Sequence, residues 1–227
     1  MGYPADEPAL SNAVEYIYGS GVPGDIIEFG CLAGRSAAVL ARAMTAVEKS
    51  YGKRSDVAHG IRERRLWLFD SFQGWPPMSS PIDTKSPHVV AKVWQPGEPR
   101  GGTPDGVRRM CAPYIGDRVS VVPGWFKDTL IQLSDELRFA LVHVDCDIYS
   151  STIDVLNHLF SNDMLSDGCT ILFDNWYCNR GSPRFGEQKA WADAWDTTGD
   201  WIDGFTFSDW GAYGVASRRF IVHRNDA

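Results

Sequence analysis

The sequence predicts an α/β protein: a mostly parallel sheet, helices on both faces, finished by an antiparallel strand. Three observations carry this. Short apolar runs such as "DIIEFG", "LWLFD" and "FALVHVD" alternate with longer segments of helical period. Those runs are mostly continuous in apolar residues rather than alternating, which marks strands buried on both faces, as in parallel sheets between two helix layers. The last stretch, "GFTFSDWGAYGVASRRFIVHR", instead reads as two strands about a Gly-rich turn, a hairpin rather than a crossover unit.

Taken in order, "NAVEYIYGSG" is a leading helix ended by glycine, and "DIIEFG" is the first buried strand. "RSAAVLARAMTAVEKSYG" places Val39, Leu40, Ala43, Met44 and Val47 on one helical stripe. "LWLFD", "VSVVPG", "FALVHVD" and "CTILFD" are four further strands, and "STIDVLNHLFSNDML" between the last two carries Ile153, Leu156, Leu159 and Phe160 on one face. With the hairpin, seven strands are expected. The chain has 227 residues and 44% hydrophobic content, enough for one core, so a single domain over 1–227 is expected. Residues 76 to 105 break the rhythm. "PPMSSPIDTKSPHVVAKVWQPGEPRGGTP" holds seven prolines, which predicts no regular element, yet it contains Val89, Val90, Val93 and Trp94. A connection this long is usually functional, and apolar side chains on it predict an inserted lid.

Charge narrows the partners. Twenty-two basic residues face 29 acidic ones, net −7, with no basic stripe for nucleic acid. The one basic cluster, "IRERRLW", reads as a solvated helix end. No apolar run reaches the roughly 18 residues of a membrane helix. The start "MGYPADEP" is acidic without an apolar core, which predicts no secretory signal, and Asp6 stands where myristoylation needs Ser or Thr. The five cysteines, an odd number without a CxxC pair, predict free thiols in a reducing cytoplasm.

In open parallel sheets the ligand binds past the carboxyl ends of the strands. Those ends read Glu28 to Ser36 with Gly30 and Gly34, then Asp70 with Ser71, then Gly124-Trp125, then Asp145 and Asp147, then Asp174-Asn175. A GxGxxG fingerprint laid on Gly30 demands glycine at 28, where Glu28 stands; a carboxylate there opposes a pyrophosphate and suits a cationic ligand. S-adenosylmethionine, with an ammonium, a sulfonium and no phosphate, fits. The expected cofactor-binding set is Glu28, Gly30, Gly34, Ser36, Asp70, Ser71, Gly124, Trp125 and Asp145, with Asp70 accepting from both ribose hydroxyls. Residues i and i+2 of a strand face the same way, so Asp145 and Asp147 should point together and Cys146 away. With Asp174 and Asn175 they form an oxygen-only set suited to Mg²⁺, Mn²⁺ or Ca²⁺ rather than zinc. The alternative is that these residues cap helices, Asp147 preceding "YSSTIDVL".

"GVPGDIIEFGCLAGRSA", "LFDSFQGWP", "GWFKDTL", "HVDCDIYSST" and "ILFDNWY" resemble the macrocin O-methyltransferase family over roughly residues 11 to 224. The resemblance implies a Rossmann-like class I methyltransferase fold, S-adenosylmethionine, and Mg²⁺ (or Mn²⁺) held by Asp145, Asp174 and residue 175, with Asp147 as general base. The family usually has two aspartates where this chain has Asp174-Asn175; an Asp, Asp, Asn set is similar to that of catechol-type methyltransferases. Those enzymes carry a lysine base where this chain has Ile148, which leaves Asp147. The N-terminal portion is short against the sugar-modifying members.

The expected reaction is methyl transfer to a hydroxyl of a small-molecule acceptor, a sugar or other natural-product intermediate. His88 on the lid is a second catalytic candidate, His143 is expected to be a buried strand residue, and Trp176, Tyr177 and Arg184 are candidates for the acceptor pocket. A homodimer is compatible with this reading. The competing classes are a nicotinamide-dependent oxidoreductase, a metal-dependent hydrolase and a non-catalytic nucleotide-binding protein on the same fold.

Overall fold

The computed structural model describes residues 6–51, 63–197 and 204–225. Seven strands form one sheet: β1 (Asp25–Phe29), β2 (Leu66–Asp70), β3 (Val119–Pro123), β4 (Phe139–Val144), β5 (Leu165–Phe173), β6 (Phe205–Tyr213) and β7 (Ser217–Arg224). Their order is β3-β2-β1-β4-β5-β7-β6. The first five are mutually parallel, and β7 pairs antiparallel to both β5 and β6. The order reverses between β1 and β4, and that switch point opens a crevice at the strand ends.

Side-chain alternation splits the core in two. Ile26, Leu68 and Leu141 face one helix layer, with α1 (Asp6–Gly19), α2 (Arg35–Tyr51) and α5 (Pro104–Ile115). Ile27, Phe29, Val142 and Phe173 face the other, with α7 (Tyr149–Ser161) and α8 (Gly186–Thr197). Burial on both faces is why these strands read as continuous apolar runs. The "IRERRLW" cluster is not a solvated helix end over its described part. Arg64 is 4% exposed, lies over the Tyr18 ring, and donates to the carbonyls of Ile17, Val22 and Gly24. It closes the turn between α1 and β1, adding a donor to the Ile17 carbonyl that already takes the Val22 N–H at 3.0 Å.

The proline-rich segment is also regular where none was expected. It forms two one-turn helices, α3 (Pro81–Thr84) and α4 (Pro87–Val90), each opened by Ser-Pro. Proline lacks only an N–H that the first turn leaves unpaired anyway, and Ser80 accepts from the Ile82 N–H as an N-cap. Trp94 is buried, whereas Val90, Val93 and Lys92 are exposed, so the apolar residues of this segment do not all face the body. A third short helix, α6 (Phe126–Thr129), follows β3.

Candidate active site

A cavity of about 690 Å³ lies at the carboxyl ends of β1, β2, β3, β4 and β5, roofed by residues 74–99. Its floor on one side is Gly30, Asp70, Ser71, Gly124 and Trp125. Gly30 has φ +91°, and a Cβ there would stand 2.0 Å from the Asp145 carbonyl oxygen. Only glycine lets the β1 turn pass this close to the end of β4. Asp70 sits at the end of β2 and takes the backbone N–H of Leu32 on Oδ2 and of Phe72 on Oδ1, both at 2.7 Å. Burial pushes its carboxyl up, against the pull of these N–H groups. The carboxylate is thus aimed by the two turns flanking the cavity, with lone pairs left for a ligand hydroxyl. Ser71 Oγ is spent locally, donating to the Gly74 carbonyl.

Three expected cofactor residues lie outside the cavity wall. Glu28 is fully buried in β1 and meets His143 Nδ1 at 2.8 Å. A strand residue pairs with its neighbour across the ladder, and Glu28 and His143 are in register, so Oε1 of the buried carboxylate is answered within the sheet while Oε2 has no hydrogen-bond partner. Gly34 has φ +83° and packs on Val107 of α5. Ser36 lies in the first turn of α2 and does not line the cavity.

The opposite side of the cavity is acidic: Asp145, Asp147, Asp174 and Asn175 all line it. Strand alternation is not what brings the first two together, because β4 ends at Val144. Asp147 has φ +63°, a left-handed conformation costing about 1–3 kcal/mol for such a residue. The Trp75 indole Nε1–H donates to its Oδ2 at 3.0 Å. Burial pushes the Asp147 carboxyl up to about 7, opposed by that indole bond. The Asp145 carboxyl is also held well above the usual carboxylate range, by burial first and then by the charges of Asp174, Asp147 and Glu187. Neither aspartate caps α7. Its first N–H groups, of Tyr149 and Ser150, go to the two carboxylate oxygens of Asp83 at 2.8 and 3.1 Å. Asp83 comes from the roof and is 1% exposed.

The roof is fastened again at His88. The Asn179 N–H donates to its Nδ1 at 2.9 Å, and the His88 N–H donates to Asn179 Oδ1 at 3.1 Å. Nδ1 also lies 3.1 Å from Asn179 Oδ1, so Asn179 engages this nitrogen in either tautomer and Nε2 is the ring nitrogen left for a ligand; the tautomer with its proton on Nε2 makes His88 a donor. The ring stacks on Trp94 and lines the cavity. Trp176, Tyr177 and Arg184 do not line it. Trp176 packs in the aromatic core with Phe173, Trp191 and Phe220, Tyr177 bonds to Arg218, and Arg184 lies exposed over Phe185.

Among the described residues no three His, Cys, Asp or Glu side chains are arranged as a ligand group for a metal ion. What remains is Asp145, Asp174 and the Asn175 amide, whose Nδ2 donates to Asp145 Oδ1 at 3.0 Å while its Oδ1 receives the Cys178 thiol at 3.2 Å. Turning that amide over presents its oxygen beside Asp145. Behind them lies Glu187, 1% exposed, with Oε1 buried and without a hydrogen-bond partner. Four mutually repelling carboxylates, one with an orphaned oxygen, fit a hard cation in charge and donor chemistry.

Trp75, Asp83 and Glu187 escaped the sequence reading. Trp75 stood inside a motif already singled out, "DSFQGWP". Asp83 and Glu187 carry no local signal: one is a lone acid in a Pro-rich stretch, the other the second residue of a helix that follows β5.

Residues 8–189 match the family model described as Macrocin-O-methyltransferase (TylF). The chain is 32% identical over 172 residues to 8-demethyl-8-(2,3-dimethoxy-alpha-L-rhamnosyl)-tetracenomycin-C 4'-O-methyltransferase of Streptomyces olivaceus, covering 74% of this chain and 58% of that protein. It is 31% identical over 171 residues to Mycinamicin III 3''-O-methyltransferase of Micromonospora griseorubida, covering 74% and 61%. The matches thus span less than two thirds of those relatives' own length. Among solved structures, the O-methyltransferase NovP superposes with a TM-score of 0.68 at 23% identity, over 97% of this chain and 80% of that one. Calicheamicin methyltransferase CalS11 superposes at 0.66 and 22%, over 98% and 79%. These likenesses carry the fold, which is the Rossmann-like class I methyltransferase fold. By the extent of the family match and the identity to its relatives, this chain belongs to the macrocin-O-methyltransferase family.

Proposed function

We propose that this chain is an S-adenosylmethionine-dependent, Mg²⁺- or Mn²⁺-dependent O-methyltransferase acting on a hydroxyl of a small-molecule acceptor, a sugar or related natural-product intermediate. The observation that carries it is one cavity with a singly aimed carboxylate, Asp70, on one side and the Asp145, Asp147, Asp174 cluster on the other. The first suits ribose hydroxyls and the second a hydroxyl that must lose its proton. The relatives' names, O-methyltransferases of tetracenomycin and mycinamicin intermediates, point the same way.

When bound, S-adenosylmethionine supplies the electrophilic methyl group and a divalent cation supplies Lewis acidity toward the acceptor oxygen. Asp70 orients the ribose; Gly30, Gly124 and Trp125 shape the wall beside it. Asp145, Asp174 and Asn175 would hold the cation. Asp147, with Oδ2 held by Trp75, keeps Oδ1 for the proton of the acceptor hydroxyl. His88 donates from Nε2 to a neighbouring acceptor oxygen. Residues 76 to 105 act as the lid, excluding water from the transfer. The chain is one methyltransferase domain working in a reducing cytoplasm, with its five thiols free.

Calorimetry with S-adenosylhomocysteine and with NAD⁺, each with and without Mg²⁺, tests the cofactor. Binding of the first alone is expected; binding of NAD⁺ alone overturns the reading. Asp147→Asn, assayed with methyl-labelled cofactor against a panel of deoxysugar glycosides, should bind S-adenosylhomocysteine normally and lose about 10²–10⁴ in rate. Undiminished turnover in that variant, or full wild-type turnover in excess chelator, removes the base or the metal respectively.

A further inference from the structure

Glu187 is a buried carboxylate for which the proposed reaction has no use. It opens α8 directly after Gly186, whose φ of +56° turns the chain beneath the strand ends. Its Oε2 accepts the Asn175 N–H at 2.9 Å, and Gly186 beside it packs on the Asp147 carbonyl, where a Cβ would stand 3.4 Å from that oxygen. The β4–β5 ladder ends at Val144–Phe173, and its last backbone bond runs from Asp174 N–H to the Val144 carbonyl at 3.0 Å. Asn175 directly follows Asp174, its N–H has no ladder acceptor, and a buried N–H must find one. Glu187 takes the place of the missing acceptor.

We infer that Glu187 is a positioning residue which fixes the end of β5 against the start of α8 and so sets where Asp174 and Asn175 stand beside Asp145 around the cation. The inference rests on the metal reading above. A neutral acceptor would satisfy the Asn175 N–H at less cost. A carboxylate adds negative charge behind Asp174 and Asp147, with Oε1 left unpaired. That arrangement is costly in an empty site and favourable once a cation sits in front of it.

The test is Mn²⁺ binding, followed by electron paramagnetic resonance of the free ion, in wild type and Glu187→Gln. The amide keeps the size and can still accept the Asn175 N–H through its oxygen, but it removes the charge. S-adenosylhomocysteine affinity without metal is measured alongside, below the melting transition of each protein. The expected result is Mn²⁺ binding weakened by about 10–100-fold with metal-free S-adenosylhomocysteine affinity held within about threefold. Wild-type Mn²⁺ affinity in the variant overturns the inference. So does an equal loss of both affinities, which assigns Glu187 to general packing. If Glu187→Gln does not fold, Glu187→Asp, which withdraws the charge by one methylene, is expected to give the same split, and wild-type Mn²⁺ affinity there overturns it equally. Failure of the wild type itself to bind Mn²⁺ is a different result: it removes the metal reading and this inference with it.

Discussion

Asp83→Ala should unfasten the lid and uncap α7 in one step. Asp83 is 1% exposed, and its two oxygens accept the N–H groups of Tyr149 and Ser150. The residue at the helix N-cap position, Ile148, has no side-chain acceptor to offer. A helix leaves its first N–H groups unpaired, and its N-terminus favours negative charge. A hydrogen bond to a charged group contributes about 1.5–3 kcal/mol and loss of a capping side chain costs about 0.5–2 kcal/mol. The two bonds share one carboxylate, and water replaces part of what is lost, so lid docking should weaken by about 2–3 kcal/mol. The open population then rises roughly 30–150-fold. Hydrogen exchange should show it as faster exchange at Tyr149, Ser150 and residues 86–94, with the amides of β1 and β4 unchanged. Trypsin offers a second reading. Lys85 and Lys92 are exposed even with the lid docked, but a protease needs the chain extended, so cleavage tracks opening. Nicking should accelerate in the variant and slow again with S-adenosylhomocysteine and Mg²⁺. Unchanged exchange at Tyr149 and Ser150, or a uniform rise across the sheet, refutes the reasoning.

Trp75→Phe keeps a ring in the roof but removes the donor to Asp147, which should free Asp147 from its left-handed conformation. In wild type the Trp75 indole proton should resist solvent exchange and lose that protection in Asp147→Ala; rapid exchange in wild type sinks the bond. Gly30→Ala places a Cβ 2.0 Å from the Asp145 carbonyl at a φ of +91°, so it should cost about 3 kcal/mol or more and lower the melting temperature, whereas an unchanged melt would mean the two strand ends can part freely. Asp70→Ala should weaken S-adenosylhomocysteine by about 1.5–3 kcal/mol, roughly tenfold to a hundredfold, and unchanged affinity in calorimetry would put the ribose elsewhere.

The sheet could be read from the chain because its cause is local. "DIIEFG", "LWLFD" and "FALVHVD" are apolar within their strands apart from the paired Glu28 and His143, since helices cover both of their faces, and the hairpin near the C-terminus shows its turn glycines. The strand-end residues facing the cavity were legible for the same reason: a parallel sheet exposes its carboxyl ends, and Asp70, Asp145, Asp147, Asp174 and Asn175 stand there in sequence order. Composition misled at the lid, where seven prolines suggested irregular chain, because proline is tolerated at the first position of a helix and serine before it supplies the cap. It misled at "IRERRLW", because a guanidinium can be buried wherever three carbonyls converge, and convergence is not written in the neighbouring residues.

Residue type and local spacing thus account for the strands, the helices and the carboxylates at the strand ends, since periodicity and strand direction depend on near neighbours along the chain. The fastenings depend on approaches across 66, 72 and 91 residues: Asp83 to Tyr149, Trp75 to Asp147, His88 to Asn179. Glu187 reaches Asn175 from a helix that has first to dock against α7. Such pairs carry no signature in either partner's surroundings, because a buried donor or acceptor takes whichever complement packing delivers, and packing is settled only when the whole sheet and both helix layers have closed.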